Sequence, residues 1–173
     1  MKDKLIVIVG FMGCGKTAVG KELGRLLNTT FIDLDSRIED IEERTPAQII
    51  REDGEHAFRE KETSALRDLL GDIQQSVIAL GGGAWTIAVN RELIRSVPSI
   101  VIWLDAPFDT CWERIEHDAS LRPMAPSRSA AEKLFAGRMQ FYRLADLQLR
   151  VTTESPKQTA ENIAALLQQQ SHT

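Results

Sequence analysis

The stretch 10–17, which reads GFMGCGKT, constrains the chain more than any other part of it. Two glycines separated by four residues are followed directly by a lysine and a threonine, which is the pattern of a loop that wraps around phosphate groups. Glycines let successive backbone N–H groups turn inward toward an anion, and the next helix adds the positive end of its dipole. We therefore interpret this stretch as a triphosphate-binding loop, with a glycine-rich turn that binds nothing as the alternative.

The residues on both sides of the loop favour a strand, the loop and a helix in that order. Residues 5–9 form a continuous apolar run typical of a buried parallel strand, and residues 18–27 have helical periodicity. In such a unit Lys16 reaches the phosphates and the Thr17 hydroxyl binds magnesium. Cys14 occupies a free position of the pattern, and we interpret it as an inert small residue, with a reactive thiol as the alternative.

Length and charge restrict the classes of protein. A chain of 173 residues is long enough for one buried core and too short for two ordinary domains, so a single domain over 1–173 is expected. It contains neither an apolar run near ~18 residues nor a signal peptide, which favours a soluble, cytoplasmic protein without a membrane partner. A net charge of -4 argues against nucleic acid as the main partner. Cys14 and Cys111 lack the spacing of a metal site or a disulfide framework.

Short apolar segments alternate with helical segments along the whole chain, which predicts an α/β fold with a five-stranded parallel sheet between two helical layers. The predicted strands are 5–9, 29–35, 77–80, 100–104 and 147–151. The helices predicted after the first are 37–43, 47–51, 55–70, a helix from an Asn90 cap to residue 95, 108–116, 130–144 and 159–168.

Two carboxylates end the second predicted strand. Asp33 and Asp35 are two residues apart, so both point to one face if the strand continues through them. Ligands of nucleotide-binding sheets lie at this carboxyl end. The functional interpretation gives Asp33 a magnesium contact and Asp35 a substrate hydroxyl. In the alternative, Asp35 or Ser36 caps the next helix.

Two further features lie after the second strand. Arg59 has Glu55 four residues before it and Glu62 three residues after it, so that carboxylates of its own helix can brace it to grip a substrate carboxylate. A surface ion pair is the alternative. The glycines 81–83 follow the third strand directly, which indicates either a close approach of a ligand to the backbone or a flexible loop.

The segment 117–129 is polar and contains Arg122 and Arg128. It is a candidate lid that closes over reacting phosphates, or else an ordinary exposed turn. Arg138 and Tyr142 follow it, one turn apart on one face of a predicted helix.

From Leu5 to about Leu167 the chain resembles the shikimate kinase family. The similar motifs are the loop 10–17, the segment 31–35, the segment GEHAFR at 54–59 with Glu62, the three glycines, Arg122 with Pro123, and Arg138 with Tyr142 and Ala145. Each of the middle motifs is weak alone, whereas their joint order is highly specific. The resemblance implies a P-loop kinase fold of the nucleoside monophosphate kinase type, with strand order 2-3-1-4-5.

The resemblance also implies an activity: ATP-dependent phosphorylation of the 3-hydroxyl of shikimate, with Mg²⁺, in chorismate and aromatic amino-acid biosynthesis. It implies a monomer with an acceptor-binding insertion at about 36–70 and a lid at about 117–129. The implied catalytic residues are Lys16, Asp35 and Arg122. The implied nucleotide-binding residues are Gly13, Cys14, Gly15, Lys16, Thr17, Ala18, Arg114, Arg122 and Pro156, with adenine between Arg114 and Pro156. The implied shikimate-binding residues are Asp35, Arg59, Gly81, Gly82, Gly83 and Arg138, and the metal site is Thr17 with Asp33.

Two segments depart from the family pattern, at three positions. Ile50 stands where the family usually has phenylalanine, and Met124 and Ala125 follow Pro123 where the family usually has two leucines. A looser lid closure is therefore expected. The alternatives in function are another small-molecule P-loop kinase, for gluconate or a nucleoside monophosphate, and a nucleotide-binding module without turnover.

Overall fold

A five-stranded parallel sheet forms the centre of the protein. The structure, a computed structural model, describes residues 4–72, 76–117 and 123–170. The strands are β1 (Leu5–Val9), β2 (Thr30–Asp33), β3 (Ser76–Ala79), β4 (Ser99–Asp105) and β5 (Leu147–Arg150). Their order in the sheet is β2-β3-β1-β4-β5, and all four pairings are parallel. The predicted fold class and strand order are confirmed.

Helices cover both faces of the sheet and complete the predicted three layers. They are α1 (Lys16–Leu26), α2 (Leu34–Glu42), α3 (Pro46–Asp53), α4 (Glu55–Asp72), α5 (Ala88–Arg95), α6 (Phe108–Ile115), α7 (Arg128–Tyr142) and α8 (Pro156–Gln170). A short 3₁₀ turn at Ala84–Thr86 precedes α5. Within the described ranges, none of these helices has the length and apolar character that crossing a membrane requires.

The three inner strands are apolar because helices bury them on both faces. Every residue of β1 and β3 is buried, whereas the edge strand β5 alternates between half-buried and exposed positions. Because β1 lies between β3 and β4, the loops that follow these three strands emerge at one edge of the sheet. That edge carries the stretch 10–15 and the three glycines.

Helices α2, α3 and α4 occupy the predicted insertion between β2 and β3 and are joined by charged side chains. Arg44 lies after α2 and contacts Glu52 at 2.9 Å and Asp53 at 2.8 Å, both at the end of α3. Lys61 of α4 contacts Glu42 of α2 at 2.6 Å. The side chain of Thr45 caps α3 in a reciprocal hydrogen-bond pair with Gln48. These contacts fix the three helices as one unit over the sheet edge.

The predicted end of β2 is wrong. The strand ends at Asp33 and α2 begins at Leu34, so Asp35 is helical and the two carboxylates do not share one extended strand face. Asp33 is the residue that caps α2, because its Oδ1 accepts hydrogen bonds from the backbone N–H groups of Asp35 at 3.1 Å and Ser36 at 3.5 Å. Capping by Asp35 or Ser36 is therefore also contradicted, and the predicted helix start at residue 37 is three residues late.

Asn90 does not cap α5, which begins at Ala88. Asn90 is the third residue of α5, and its side chain is fully buried. Its Nδ2 donates to the carbonyl oxygen of Ala84 at 3.1 Å, and its Oδ1 accepts from the Thr63 hydroxyl at 2.8 Å. Asn90 therefore links α4 to the turn that follows the three glycines.

The described end of the predicted lid packs on α6 and α7. Ala125 is fully buried in a small apolar cluster with Trp112, Ile115 and Ala131. Arg128, the first residue of α7, pairs with Asp109 at the start of α6. Arg122 lies outside the described residues, so its predicted role in the lid stays a prediction.

Candidate active site

The loop between β1 and α1 has the backbone that the glycine pattern predicts. Gly13 has a φ of 78°, in the left-handed region, and a Cβ at this position would lie 2.5 Å from the carbonyl oxygen of Cys111. Gly15, with a φ of 101°, caps α1 directly before Lys16. A side chain at Gly13 is thus excluded by both backbone conformation and space. The loop turns tightly into the N-terminus of α1, where the helix dipole favours an anion.

Lys16 lies inside this loop. Its Nζ donates to the carbonyl oxygens of Gly10 and Phe11, each at 3.0 Å, and lies 3.9 Å from the sulfur of Cys14. Cys14 itself is buried, with 1% of its surface exposed. The charge of Lys16 is therefore held at the mouth of the loop, at the place where a phosphate would be received.

Thr17 and Asp33 lie together, as a shared metal site requires. The hydroxyl of Thr17 donates to Oδ2 of Asp33 at 2.6 Å, while Oδ1 of the same carboxylate caps α2. A hydroxyl and a carboxylate are hard oxygen ligands, and Mg²⁺ usually takes one or two protein ligands while keeping waters and substrate phosphates. No group of three or more acidic, histidine or cysteine side chains that could hold a metal occurs in 4–72, 76–117 or 123–170. The pair fits Mg²⁺ in its substrate-bound form better than a site made by protein alone.

The residues predicted around adenine lie on two separate helices, α6 and α8. Arg114 of α6 donates from NH1 to the carbonyl oxygen of Gly13 at 3.0 Å, so it borders the phosphate loop. Pro156 is exposed at the start of α8, and Ala18 is exposed in the first turn of α1. A stacking position for adenine between Arg114 and Pro156 stays a prediction.

A cavity of about 150 Å³ opens beside the loop, between the sheet edge and the helices α2 to α4. Its polar lining consists of Asp35, Arg59, Glu62, Arg138 and the glycines 81–83. Its apolar lining includes Met12, Ile50, Phe58, Pro123 and Met124. All the predicted acceptor-binding residues therefore line one cavity, and Met12 connects it to the phosphate loop.

Arg59 is braced as its spacing predicts. Its NH1 donates to Oε2 of Glu62 at 2.9 Å, and its Nε and NH2 both donate to Oε1 of Glu55 at 3.3 Å. The alternative of a surface ion pair does not describe this arrangement, because only 18% of the Arg59 side chain is exposed and Glu62 is fully buried. Burial alone would lower the pKa of Arg59, but Glu62 and Glu55 outweigh it and the pKa is raised. The guanidinium is a fixed cation in the cavity wall.

Glu62 is the most deeply buried carboxylate of the site. Its Oε1 has no hydrogen-bond partner, and a Cβ on Gly81 would lie 2.9 Å from that atom and 2.6 Å from Oδ1 of Asp35. Two carboxylates thus converge on Gly81. The pKa of Glu62 is raised to about 7, mainly by burial and in smaller part by Asp35, while Arg59 and Arg138 oppose the shift. Near neutral pH, Glu62 is therefore divided between its charged and uncharged forms.

Arg138 of α7 brings a second cation to the cavity. It is 7% exposed, and no carboxylate of the described residues lies within the 4 Å of an ion pair. Its guanidinium lies 5.9 Å from the centre of the Phe11 ring. Burial lowers the pKa of Arg138, yet an arginine stays charged at neutral pH. A buried cation that lacks a protein carboxylate is a site for an anionic ligand.

The three glycines approach the two arginines closely. A Cβ on Gly83 would lie 2.3 Å from NH2 of Arg59, and one on Gly82 would lie 3.3 Å from NH1 of Arg138. The backbone here forms part of the cavity wall, so that the interpretation of close approach is favoured over that of a flexible loop.

Several residues of the cavity were not predicted as binding residues from sequence. Met12 stands at a free position of the glycine pattern, and Phe58 fits the spacing of an ordinary core residue. The residue types at these two positions therefore do not indicate a binding site. Pro46 and Ala47 begin α3 and line the cavity only because α3 folds back over the sheet edge. Ile50 and Met124, two of the three positions that depart from the family pattern, both line the cavity.

Known proteins resemble this chain over most of its length. A sequence model of the family described as shikimate kinase matches residues 12–168. A shikimate kinase of Cereibacter sphaeroides is 42% identical over 164 residues, which are 93% of this chain and 79% of that protein. One of Lactococcus lactis subsp. cremoris is 40% identical over 160 residues, which are 91% of this chain and 94% of that protein.

A solved structure gives the same result in three dimensions. The shikimate kinase of Acinetobacter baumannii, determined in complex with shikimate, is 32% identical and superposes with a TM-score of 0.90, covering 96% of this chain and 94% of that one. Since both the sequence motifs and the fold match over most of their length, the chain belongs to the shikimate kinase family.

Proposed function

We propose that this protein transfers the γ-phosphoryl group of ATP to the 3-hydroxyl of shikimate. One observation carries the proposal: a single cavity joins the partly buried Arg59 and the buried Arg138 to Met12 of the phosphate-binding loop, with Asp35 in the first turn of α2. An acidic polyol fits such a cavity, because its carboxylate and its hydroxyl groups need opposite kinds of partner. The Acinetobacter baumannii relative binds shikimate in its solved structure, which supports the choice of acid.

The acid end of the substrate would lie against Arg59 and Arg138. Glu55 and Glu62 hold the guanidinium of Arg59, and Gly82 and Gly83 leave the space that the two guanidinium groups occupy. Paired N–H donors bind a carboxylate in a fixed orientation. This arrangement supports roles for Gly81, Gly82 and Gly83 in lining the acceptor ring.

The hydroxyl end would lie near Asp35 and the phosphate loop. Asp35 would accept the proton of the attacking hydroxyl as its oxygen forms a bond to the γ-phosphorus. The bond between that phosphorus and the bridging oxygen breaks, and ADP leaves with the electron pair. Asp35 is half-buried in the first turn of α2, where the capped helix start fixes its position.

Charge on the phosphates would be balanced by the loop between β1 and α1. Lys16 and the backbone N–H groups of 13–18 would hold the phosphates, and Thr17 and Asp33 would hold Mg²⁺. Bound there, Mg²⁺ would neutralise negative charge on the phosphates. Arg122, which lies outside the described residues, is proposed to act on the same group from the lid.

The proposed organisation is one domain over 1–173 with the acceptor-binding insertion at about 36–70 and the lid at about 117–129. The proposed protein is a monomer in the cytoplasm whose partners are small molecules, without nucleic acid or membrane. The net charge of -4 supports the proposal that nucleic acid is not a partner.

The alternatives have less support. A gluconokinase of Sinorhizobium meliloti has a TM-score of 0.64 at 18% identity, and that likeness shows the fold alone. A nucleotide acceptor would need cations for an additional phosphate, whereas the two cavity arginines suit one carboxylate. A module without turnover would have little need for Asp35 beside the phosphate loop.

The direct test is a coupled assay of ADP release with the purified protein, Mg²⁺ and ATP. Shikimate is the expected acceptor, and gluconate and a panel of nucleoside monophosphates are the competitors in the same assay. Turnover of shikimate at a kcat/KM at least about a hundredfold above every competitor is expected. Preference for a competitor, or no turnover of any acceptor, would overturn the proposal.

Replacing Arg59 by alanine should weaken acid binding and leave ATP binding intact. Removal of a charge-assisted hydrogen-bond pair predicts a rise of about tenfold or more in the KM for shikimate, while the KM for ATP stays within about twofold. Steady-state kinetics with each substrate varied in turn measures both constants. Arg67→Ala, on the exposed side of α4, is the matched control. An unchanged KM for shikimate would exclude Arg59 from the acid site.

Replacing Asp35 by asparagine keeps the shape of the side chain and removes the proton acceptor. Turnover should fall by about a hundredfold or more, whereas ATP affinity should be retained. Asp40→Asn removes an exposed carboxylate from the same helix and should leave turnover unchanged. Single-turnover kinetics at saturating substrates separates the chemical step from binding, and near-normal rates in Asp35→Asn would refute its role.

The raised pKa of Glu62 predicts a pH dependence of stability. The folded protein keeps a proton on Glu62 up to a pKa of about 7, whereas the unfolded chain releases it near 4.5. Raising the pH between these values therefore removes stabilisation, which is fully present below about 4.5 and lost as the pH passes about 7. Glu62→Gln should abolish this component of the pH dependence.

Urea unfolding at several pH values between 5 and 8 would measure this component as a difference in free energy of unfolding between variants. Glu39→Gln, an exposed position of α2, serves as the control and should keep the pH dependence of the unaltered protein. Equal pH slopes in Glu62→Gln and the control would contradict the shift at Glu62.

A further inference from the structure

The carbonyl oxygens of the glycine loop 81–83 are all bound by the protein. Gly81 O accepts from the backbone N–H of Ala84 at 3.0 Å, and Gly83 O accepts from both the N–H of Thr86 at 3.0 Å and its hydroxyl at 2.7 Å. These donors lie within three residues of the carbonyls and belong to the local turn. The carbonyl of Gly82, in the middle, is held in a different way.

Gly82 O accepts a hydrogen bond from the hydroxyl of Tyr142, which is 60 residues away in sequence and ends α7. The donor and acceptor oxygens are 2.5 Å apart. Tyr142 is 1% exposed, and its ring stacks on Trp103 of β4 with centroids 6.0 Å apart. The hydroxyl is therefore fixed by the core of the sheet, and it sets the position of the middle glycine from outside the loop.

The same hydroxyl lies beside Arg138, one helical turn earlier on α7. Burial lowers the pKa of Arg138, and Tyr142 partly offsets that shift. Burial raises the pKa of the Tyr142 phenol, so the phenol keeps its proton at neutral pH and remains a donor to Gly82. The hydroxyl thus holds the backbone that lines the cavity, and Arg138 lies directly against that backbone at Gly82.

Gly82 also lies next to the phosphate loop. A Cβ on Gly82 would be 3.3 Å from NH1 of Arg138 and 3.3 Å from the backbone nitrogen of Met12. Gly82 therefore lies between Arg138 and the backbone of Met12, both of which line the acceptor cavity.

We propose that Tyr142 is a positioning residue for the acceptor, because its hydroxyl fixes Gly82 and Arg138 relative to each other. This inference rests on the proposed function, since it assigns Tyr142 to the shikimate site. Tyr142 does not touch the reacting atoms. It acts through the two groups that contact the acid and the ring, so its loss should be seen in acceptor binding and not in nucleotide binding.

Tyr142→Phe removes one oxygen and keeps the ring that packs on Trp103. The KM for shikimate should rise by about five- to tenfold, as expected for loss of one buried hydrogen bond that orders a binding site, while the KM for ATP stays within about twofold. Ser99→Ala is the control, because it also removes a hydroxyl bonded to a backbone carbonyl, that of Ile94 at 2.8 Å, but at the opposite end of the sheet. It should leave both constants unchanged.

A second measurement keeps the hydroxyl of Tyr142 in place and therefore does not depend on the folding of Tyr142→Phe. Tyr142 is the single tyrosine of the chain, so incorporation of 3-fluorotyrosine gives one ¹⁹F resonance. Titration with shikimate should shift this resonance, and saturation with ATP and Mg²⁺ alone should leave it within its linewidth.

The outcomes are distinct. Selective loss of shikimate affinity in Tyr142→Phe together with a shikimate-dependent ¹⁹F shift supports the inference. Normal turnover of shikimate by the unaltered protein with an unchanged KM in Tyr142→Phe, or with a ¹⁹F resonance that ignores shikimate, overturns the inference alone. Equal losses for shikimate and ATP also overturn it, because they indicate a general structural defect. No turnover of shikimate by the unaltered protein overturns the proposed function and this inference with it.

Discussion

The parallel pairing of β1 with β3 on one side and β4 on the other is the constraint on which the site depends. It places the end of β1, with the phosphate loop, next to the end of β3, with the glycine loop. Parallel strands bring their carboxyl ends to one edge, and neighbouring loops at that edge can then share a ligand. The helices of the insertion cover the edge and supply Arg59, and α7 supplies Arg138 from the other side. No single segment contains the site.

Buried charge gives the cavity its selectivity. Arg59 is neutralised by carboxylates on its own helix, whereas Arg138 has no carboxylate partner at ion-pair distance in the described parts of the chain. Burying a lone cation is costly, and an anionic ligand relieves that cost. Glu62 works against such a ligand when it is ionised and favours it when it is protonated. In the proposed function the cavity would therefore favour an acid, to an extent that depends on the protonation of Glu62.

Much of this arrangement could be predicted from the sequence, because the signals are local. The loop 10–17, the apolar strands and the spacing of Arg59 with its two glutamates each depend on residues close together in the chain, and the fold and strand order predicted from them are confirmed. The predicted end of β2 was wrong because an aspartate fits a strand end and a helix cap equally well. The buried role of Asn90 was not predicted, because Thr63 is distant in sequence and Ala84 belongs to a turn whose shape the sequence does not specify. The apolar lining of the cavity around Met12 could not be predicted, because its residues come from separate segments that meet only in the folded chain.

Asp33 serves two elements with one carboxylate, since one oxygen holds the start of α2 and the other holds the hydroxyl of Thr17. The helix that carries Asp35 is thus mechanically tied to the nucleotide side of the cleft. A ligand that fixed the carboxylate of Asp33 through the oxygen near Thr17 would also restrict the motion of the start of α2, which is bound to the other oxygen. By thermodynamic linkage, any gain in the affinity of one substrate that such an anchor transmits would be matched by an equal gain for the other.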